Sequence, residues 1–323
     1  MFGAFCGDVL GAPYEVTTVK FKDFILLADN SRCTDDTICT LGVTRCVLDG
    51  TFDFGPSLKR WCRQFGMPYG NRFEEWIHSG TAINDSAGNG VVSRVAGLPW
   101  LADSLRQTLD WAAASAMTSH RHPDSVDAAC AVAAAAWLAM EGWPKARMKE
   151  VIEASVGYDL TTPLDVIRPD YSFLLLASET APIAIRAVIE GRDFEDVLRL
   201  AISMGGDADT LAAAAGGIAE AYHPIPDEIA RHVYRRLPDE IRELLRDFNP
   251  RKRDILAPRE PTDEEVRAAI TEVTSVVRHW RSVIEAGPDT AAKSLCRMLR
   301  KAAGHLRRGY LTLKETFQRM RRS

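Results

Sequence analysis

The chain has 323 residues, enough for one large domain or two smaller ones. Its 46% apolar and 26% charged residues are ordinary globular values, which excludes a disordered, fibrous or collagen-like chain. The net charge of -4 hides an asymmetry: residues 251–323 hold 17 Lys and Arg against 9 Asp and Glu, net +8, leaving -12 on residues 1–250.

The longest apolar run, Ala128 to Met140, is 13 residues long, short of the roughly 20 that cross a bilayer, so no membrane span is expected. The N-terminal stretch lacks a basic region and carries Asp8 among apolar residues. That argues against a secretory signal and for a cytoplasmic protein. Seven cysteines with no C-x-x-C pair read as buried free thiols, not as a disulfide framework or a zinc site.

Helix signals dominate in chain order and alternating β-type runs are scarce, so the fold class is all-α. Helices are predicted at about 35–49, 102–117, 124–142, 178–190, 193–203, 210–222 and 226–247, separated by short Gly, Pro and Asp segments. The Ala-rich stretch from Asp124 is apolar on all faces and stops at Gly142 and Pro144, which predicts a buried central helix. Asn249 to Pro261, with three prolines, is the predicted linker between residues 1–250 and a basic helical extension, 251–323. Within the extension, Thr262 and Glu265 form a capping-box pattern ahead of apolar positions Val266, Ile270, Val273, Val277, Trp280 and Ile284, and Gly287-Pro288 ends the run.

Two acidic clusters stand just before helices: Thr34-Asp35-Asp36-Thr37, and Gly205-Gly206-Asp207-Ala208-Asp209-Thr210. Helix capping accounts for either one alone, because carboxylates and hydroxyls satisfy the free N–H groups at helix starts. Capping does not account for the paired glycines, or for two acids plus hydroxyls in both places. If the two helix starts meet, each pair of like charges at ~4 Å costs on the order of 4 kcal/mol at an effective dielectric near 20, so a cation must lie between them. Oxygen donors without Cys or paired His suit Mg²⁺, Mn²⁺ or Ca²⁺. A third segment, Asn84 to Gly90 followed by Arg94, offers small residues and amides that can cradle phosphate, or form an ordinary Gly-rich turn. His120 and His122, two residues apart before Pro123, suit a loop, with one of the two facing a ligand.

Taken together, these segments resemble the ADP-ribosylglycohydrolase family. The resemblance runs in order through GAFCGDVLGAPYEV (3–16), CTDDTICTLGV (33–43), NDSAGNGVVSRVAGL (84–98), TSHRHPDSVDAA (118–129), SETAPIAIRAVIEG (178–191) and AISMGGDADTLAAAAGGIAEAY (201–222). It implies a compact all-α catalytic domain over residues 1–250 with two Mg²⁺ or Mn²⁺ ions in a cleft. Thr34, Asp35, Asp36, Asp207, Asp209 and Thr210 match its metal ligands. Glu15 matches a glutamate that assists catalysis, with Asp36 and Asp209 as ligands that also have an electrostatic role. Ser86, Gly88, Asn89 and Gly90 match the substrate loop, and His120 a histidine near the substrate. The implied reaction is hydrolysis of the glycosidic bond between ADP-ribose and a protein or other acceptor, releasing ADP-ribose. The chain departs from the family pattern at Ser93, at Ala208, and at His223 in the exit from the 210–222 helix.

The resemblance stops near residue 250. Residues 291–323 carry 10 Lys and Arg and a single acid, Glu315. One reading of this tail is a nucleic-acid contact. The other is a helical hairpin packed on the acidic body through Trp280, Leu295, Leu299, Leu306 and Phe317. Alternatives to hydrolysis are an ADP-ribose-binding module without turnover, and a nucleic-acid-associated protein acting through the tail.

Overall fold

In this computed structural model, which describes residues 1–79, 85–249, 252–287 and the single positions 290, 293, 294 and 297, helices are joined by short loops. The N-terminal part contains α1 (Phe2–Val16), α2 (Asp35–Leu48), α3 (Phe54–Phe65), α4 (Asn71–His78) and the single turn α5 (Gly90–Ser93). The middle contains α6 (Leu105–Ser119), α7 (Pro123–Met140), α8 (Lys145–Val156), the short α9 (Leu164–Ile167) and α10 (Ala177–Glu190). The last group is α11 (Phe194–Ile202), α12 (Ala208–Tyr222), α13 (Asp227–Tyr234), α14 (Asp239–Phe248) and α15 (Asp263–Glu285). No strand forms among the described residues, where pairing is limited to one isolated bridge, Gly88 to Leu176. None of the described helices is long and apolar enough to cross a membrane.

The Ala-rich helix α7 is buried from Ser125 to Met140 and packs against α6, α8, α10, α12 and α15, as expected of a helix with no polar face. Two small-residue helices, α1 and α12, form the closest pair. Gly3, Gly7 and Gly11 recur every four residues on one face of α1. A Cβ on Gly7 would fall 1.9 Å from the Ala212 carbonyl oxygen, and one on Gly3 2.2 Å from that of Gly216. With three glycines and Pro13, residues 2–16 carry little helix propensity of their own, and the sequence reading leaves them unassigned. Packing against α12 supplies what propensity does not.

The single helix expected over 226–247 is instead two, α13 and α14, separated at Leu237-Pro238. Proline lacks the N–H and its ring clashes with the carbonyl four residues earlier, so Pro238 starts a new helix. The segment expected as a linker is pinned to the body. The N–H groups of Arg253, Leu256 and Arg259 donate to the carbonyls of Trp100, Met140 and Gly142, each at 2.8 Å, and the Arg253 guanidinium lies 4.0 Å over the Trp137 ring. Beyond it, Thr262 and Glu265 form the full capping box of α15. This helix buries Val266, Val273, Val276, Val277, Trp280 and Val283 and packs on α6, α7 and α8. Leu295, Leu299, Leu306 and Phe317, and almost all of the basic tail, lie outside the described residues.

Candidate active site

Three helix segments supply the acids, each placed by local chemistry. Thr34 caps α2, its hydroxyl accepting from the Asp36 N–H at 3.4 Å, which puts Asp35 and Asp36 in the first turn at the positive end of the helix dipole. Gly205 and Gly206 adopt φ of +72° and +71° and turn the chain from α11 into α12. At Gly206 a Cβ would also lie 2.8 Å from the Ser172 carbonyl oxygen, so both conformation and space call for glycine. Asp207 then stands at the N-cap position of α12, its carboxylate turned to Asn89 and not to the helix N–H groups, with Asp209 and Thr210 in the first turn. From α1 come Asp8, fully buried in mid-helix, and Glu15 near its end.

The two acidic clusters meet. Carboxylate oxygens of Asp8, Asp36 and Asp209 lie within 4.8 Å of one another, and so do those of Glu15, Asp207 and Asp209. Asp209 belongs to both groups. Hydroxyls and amides hold the acids in place. Asp8 accepts from the Thr34 N–H at 3.0 Å and from the hydroxyls of Thr34 and Thr37. Asp36 accepts from Ser93 Oγ on one oxygen and from Thr210 Oγ1, at 2.6 Å, on the other. Asn89 Nδ2 donates to Asp207 Oδ2 at 2.8 Å and to Thr180 Oγ1 at 3.2 Å.

Burial and neighbouring charge make Asp8, Glu15, Asp35, Asp36 and Asp209 reluctant to ionise. Burial, then the neighbouring Asp8 and Asp207, push Asp36 up to about 7. Burial raises Asp35 and Asp209 well above the usual carboxylate range, aided by Asp36 at the first and Asp207 at the second. It also raises Asp8, and Glu15 with help from Asp207. Beside them the buried Arg94 donates its Nε to Ser115 Oγ at 3.1 Å, and one terminal nitrogen to the Ser115 carbonyl at 2.6 Å and Ser119 Oγ at 2.9 Å. Its charge is therefore shared with α6. The two carboxylate groups contain neither sulfur nor nitrogen donors, the chemistry that suits a hard divalent cation, so the residues present fit the Mg²⁺ or Mn²⁺ ions that the resemblance implies.

The acids open onto a cavity of about 520 Å³. Glu15, Asp35, Asp36, Asp207, Asp209 and Thr210 line one part of it, and Ser86, Gly88, Asn89, Gly90 and His120 another. Thr34 lies behind them on Asp8. Asp35 faces the cavity but is in neither carboxylate group. The loop 86–90 is held by the segment before α10: Asn89 N–H donates to the Leu175 carbonyl at 2.9 Å and Ala177 N–H to that of Ala87 at 3.0 Å. At its tip a Cβ on Gly88 would meet Ser86 Oγ at 3.1 Å and His120 Nε2 at 3.2 Å. Burial, aided by Arg94, holds His120 well below the usual imidazole range, so it is neutral at pH 7, with Nδ1 2.8 Å from Ser119 Oγ. Of the two histidines it is His120 that faces the cavity, while His122 caps α7 by accepting from the Asp124 N–H at 3.3 Å. Asn84 lies outside the described residues.

Sequence reasoning passed over Asp8 and Ser93 as members of the site. The signal for Asp8 was present: a carboxylate in an otherwise apolar segment beside three glycines at four-residue spacing. Ser93 had no such signal, because only the folded chain puts its hydroxyl on Asp36.

The fold and the site define an all-α protein with a cavity bordered by clustered carboxylates where two helix starts meet. Residues 1–258 match the model of the ADP-ribosylglycohydrolase family, and the chain belongs to that family of glycohydrolases. Among solved structures it is similar to an ADP-ribosylglycohydrolase-related protein complex, at 25% identity and a TM-score of 0.57, over 85% of this chain and 95% of that one. No functionally curated protein matches it.

Proposed function

We propose that the chain is a divalent-cation-dependent hydrolase that cleaves the glycosidic bond between ADP-ribose and an acceptor, reversing ADP-ribosylation. One observation carries this reading: two groups of three carboxylates, Asp8 with Asp36 and Asp209, and Glu15 with Asp207 and Asp209, gather oxygen donors that would hold divalent cations. Asp36, Asp207, Asp209, Thr34, Asp35 and Thr210 would hold the two ions, with Asp8 in the same oxygen cluster as Asp36 and Asp209. When bound, Mg²⁺ or Mn²⁺ supplies charge neutralisation, orientation of the ribose hydroxyls and a water of lowered pKa.

The remaining steps belong to the chain's own residues. The loop of Ser86, Gly88, Asn89 and Gly90 borders the same cavity, joined to the acids through the Asn89–Asp207 hydrogen bond, and Gly90, where a Cβ would meet nothing within 4 Å, leaves room there for the diphosphate half of the substrate. Neutral His120 offers Nε2 beside that loop without adding a positive charge. With cations holding them ionised, the carboxylates would favour an oxocarbenium-like transition state at the anomeric carbon, as in other glycoside cleavage. Glu15, half-buried with a raised pKa and its carboxylate near Asp207 and Asp209, is the group placed to pass a proton to or from the reacting oxygen.

The test is release of free ADP-ribose from ADP-ribosylated protein, with and without EDTA. Release that stops with EDTA and returns with Mg²⁺ or Mn²⁺ supports the proposal. Release indifferent to chelation, or none with any divalent cation, overturns it.

A further inference from the structure

We infer that Ser93 is a positioning residue for the cation site: it holds Asp36 so that the carboxylate can serve a cation. This inference rests on the proposed cation-dependent function and concerns a residue behind the cavity, not in it. Ser93 is fully buried at the end of α5 and does not line the cavity. Its hydroxyl donates to Asp36 Oδ1 while Thr210 Oγ1 donates to Oδ2, so each oxygen has one lone pair engaged and one left for a cation. Fixing both oxygens also fixes the rotation of the carboxylate. Without Ser93 only the hydroxyl from α12 restrains that rotation.

The placement reaches further than one carboxylate. Asn89, four residues earlier, donates to Asp207 Oδ2, so residues 89–93 hold one acid from each of the two clusters. Asp36 comes from α2 and Asp207 from the N-cap position of α12. A short segment braced against α7, α10 and α12 thereby helps set the separation of the two helix starts. Residues that orient metal ligands typically contribute about 10- to 100-fold to metal affinity.

The experiment compares wild type, Ser93→Ala and Ser93→Thr by calorimetric Mn²⁺ titration, by electron paramagnetic resonance of the unbound Mn²⁺, and by melting temperature in EDTA. The inference expects Ser93→Ala to weaken at least one Mn²⁺ site by about 10- to 100-fold while melting near wild type in EDTA, and Ser93→Thr to restore most of the affinity by returning the hydroxyl. Wild-type affinity in Ser93→Ala overturns the inference and leaves the cation-dependent function standing. A threonine variant as weak as alanine also overturns it, because packing and not the hydrogen bond would then be responsible. A wild-type protein that binds no Mn²⁺ overturns the function and this inference together.

Discussion

Gly11 of α1 lies so close to Asp209 of α12 that a Cβ built on the glycine would stand 2.5 Å from the Asp209 Cα. The packing of two small-residue helices therefore sets where the shared acid of the site sits. Gly11→Ala is expected to push α12 outward, destabilising the fold by about 1–3 kcal/mol and weakening Mn²⁺ binding in proportion to the displaced carboxylate. Gly7→Ala, with its clash at Ala212 a turn away, is expected to cost at least as much stability with a smaller effect on the cation. Urea unfolding together with Mn²⁺ titration separates the two. A Gly11→Ala protein with wild-type stability and binding would refute the link between helix packing and site geometry.

Cation binding should be linked to pH in a defined direction. Asp36, pushed up to about 7, with Asp35, Asp209 and Asp8 also raised, retains protons in the cation-free fold that the unfolded chain releases near pH ~3.9. The stability of the cation-free protein is therefore greatest at low pH, relative to these groups, and falls as pH rises through the folded values. A bound cation displaces those protons. The rise in melting temperature on adding Mn²⁺ is expected to be larger at pH ~8 than at pH ~5.5. Equal shifts at the two pH values, read by differential scanning fluorimetry, would rule out this coupling.

Asp209 and Glu15 should differ in kind. Asp209→Ala removes an oxygen donor from both carboxylate groups, so its loss of cation affinity should exceed the roughly 100-fold ceiling typical of supporting residues. Glu15→Gln leaves Asp8, Asp36 and Asp209 intact. It is expected to lower kcat by about 10²- to 10⁴-fold, the range for a proton-transfer group, with little effect on the Asp8–Asp36–Asp209 group. Single-turnover release of ADP-ribose and Mn²⁺ titration of both variants provide the comparison. Equal losses of affinity in the two would contradict this division of labour.

Arg281 of α15 forms an ion pair with Asp127 of α7, which is 2–3% exposed and whose other oxygen has no hydrogen-bond partner among the described residues. Burial raises the Asp127 pKa and Arg281 opposes the rise. Arg281→Ala is expected to cost about 1–3 kcal/mol at pH ~7, discounted because the guanidinium is half exposed, and less once acid protonates Asp127. Trp280→Ala empties a fully packed position and should cost about 3–5 kcal/mol at either pH. Chemical denaturation at pH ~7 and pH ~4.5 distinguishes the charge effect from the packing effect. A pH-independent loss in Arg281→Ala would mean that the pair acts through packing alone.

Local signals account for much of what could be read in advance. The Ala-rich run from Asp124, the capping box at Thr262 and Glu265, and the helix starts after Thr34 and Gly206 are each written within a few residues, and each appears in the structure. The helix over residues 2–16 was not legible, because three glycines and a proline argue against one until α12 is there to pack on. The break within the helix expected over 226–247 has a local cause in Pro238, which the expectation did not take into account. Asp8 could have been singled out as a charge in an apolar stretch. Its bonds to Thr34 and Thr37 join residues 26 and 29 positions away, beyond the reach of any local pattern.

What the amino-acid order determined by itself was the all-α class, the two acidic helix starts and the oxygen-only donor chemistry, because propensity, capping and ligand hardness are properties of residues and their near neighbours. Only the tertiary structure decided that Asp36 and Asp209, far apart in the chain, share one site, that Asp8 joins them, and that the segment 89–93 braces both clusters. Those relationships depend on how closely α1 and α12 can approach. That distance follows from the glycine and alanine surfaces of both helices meeting in three dimensions.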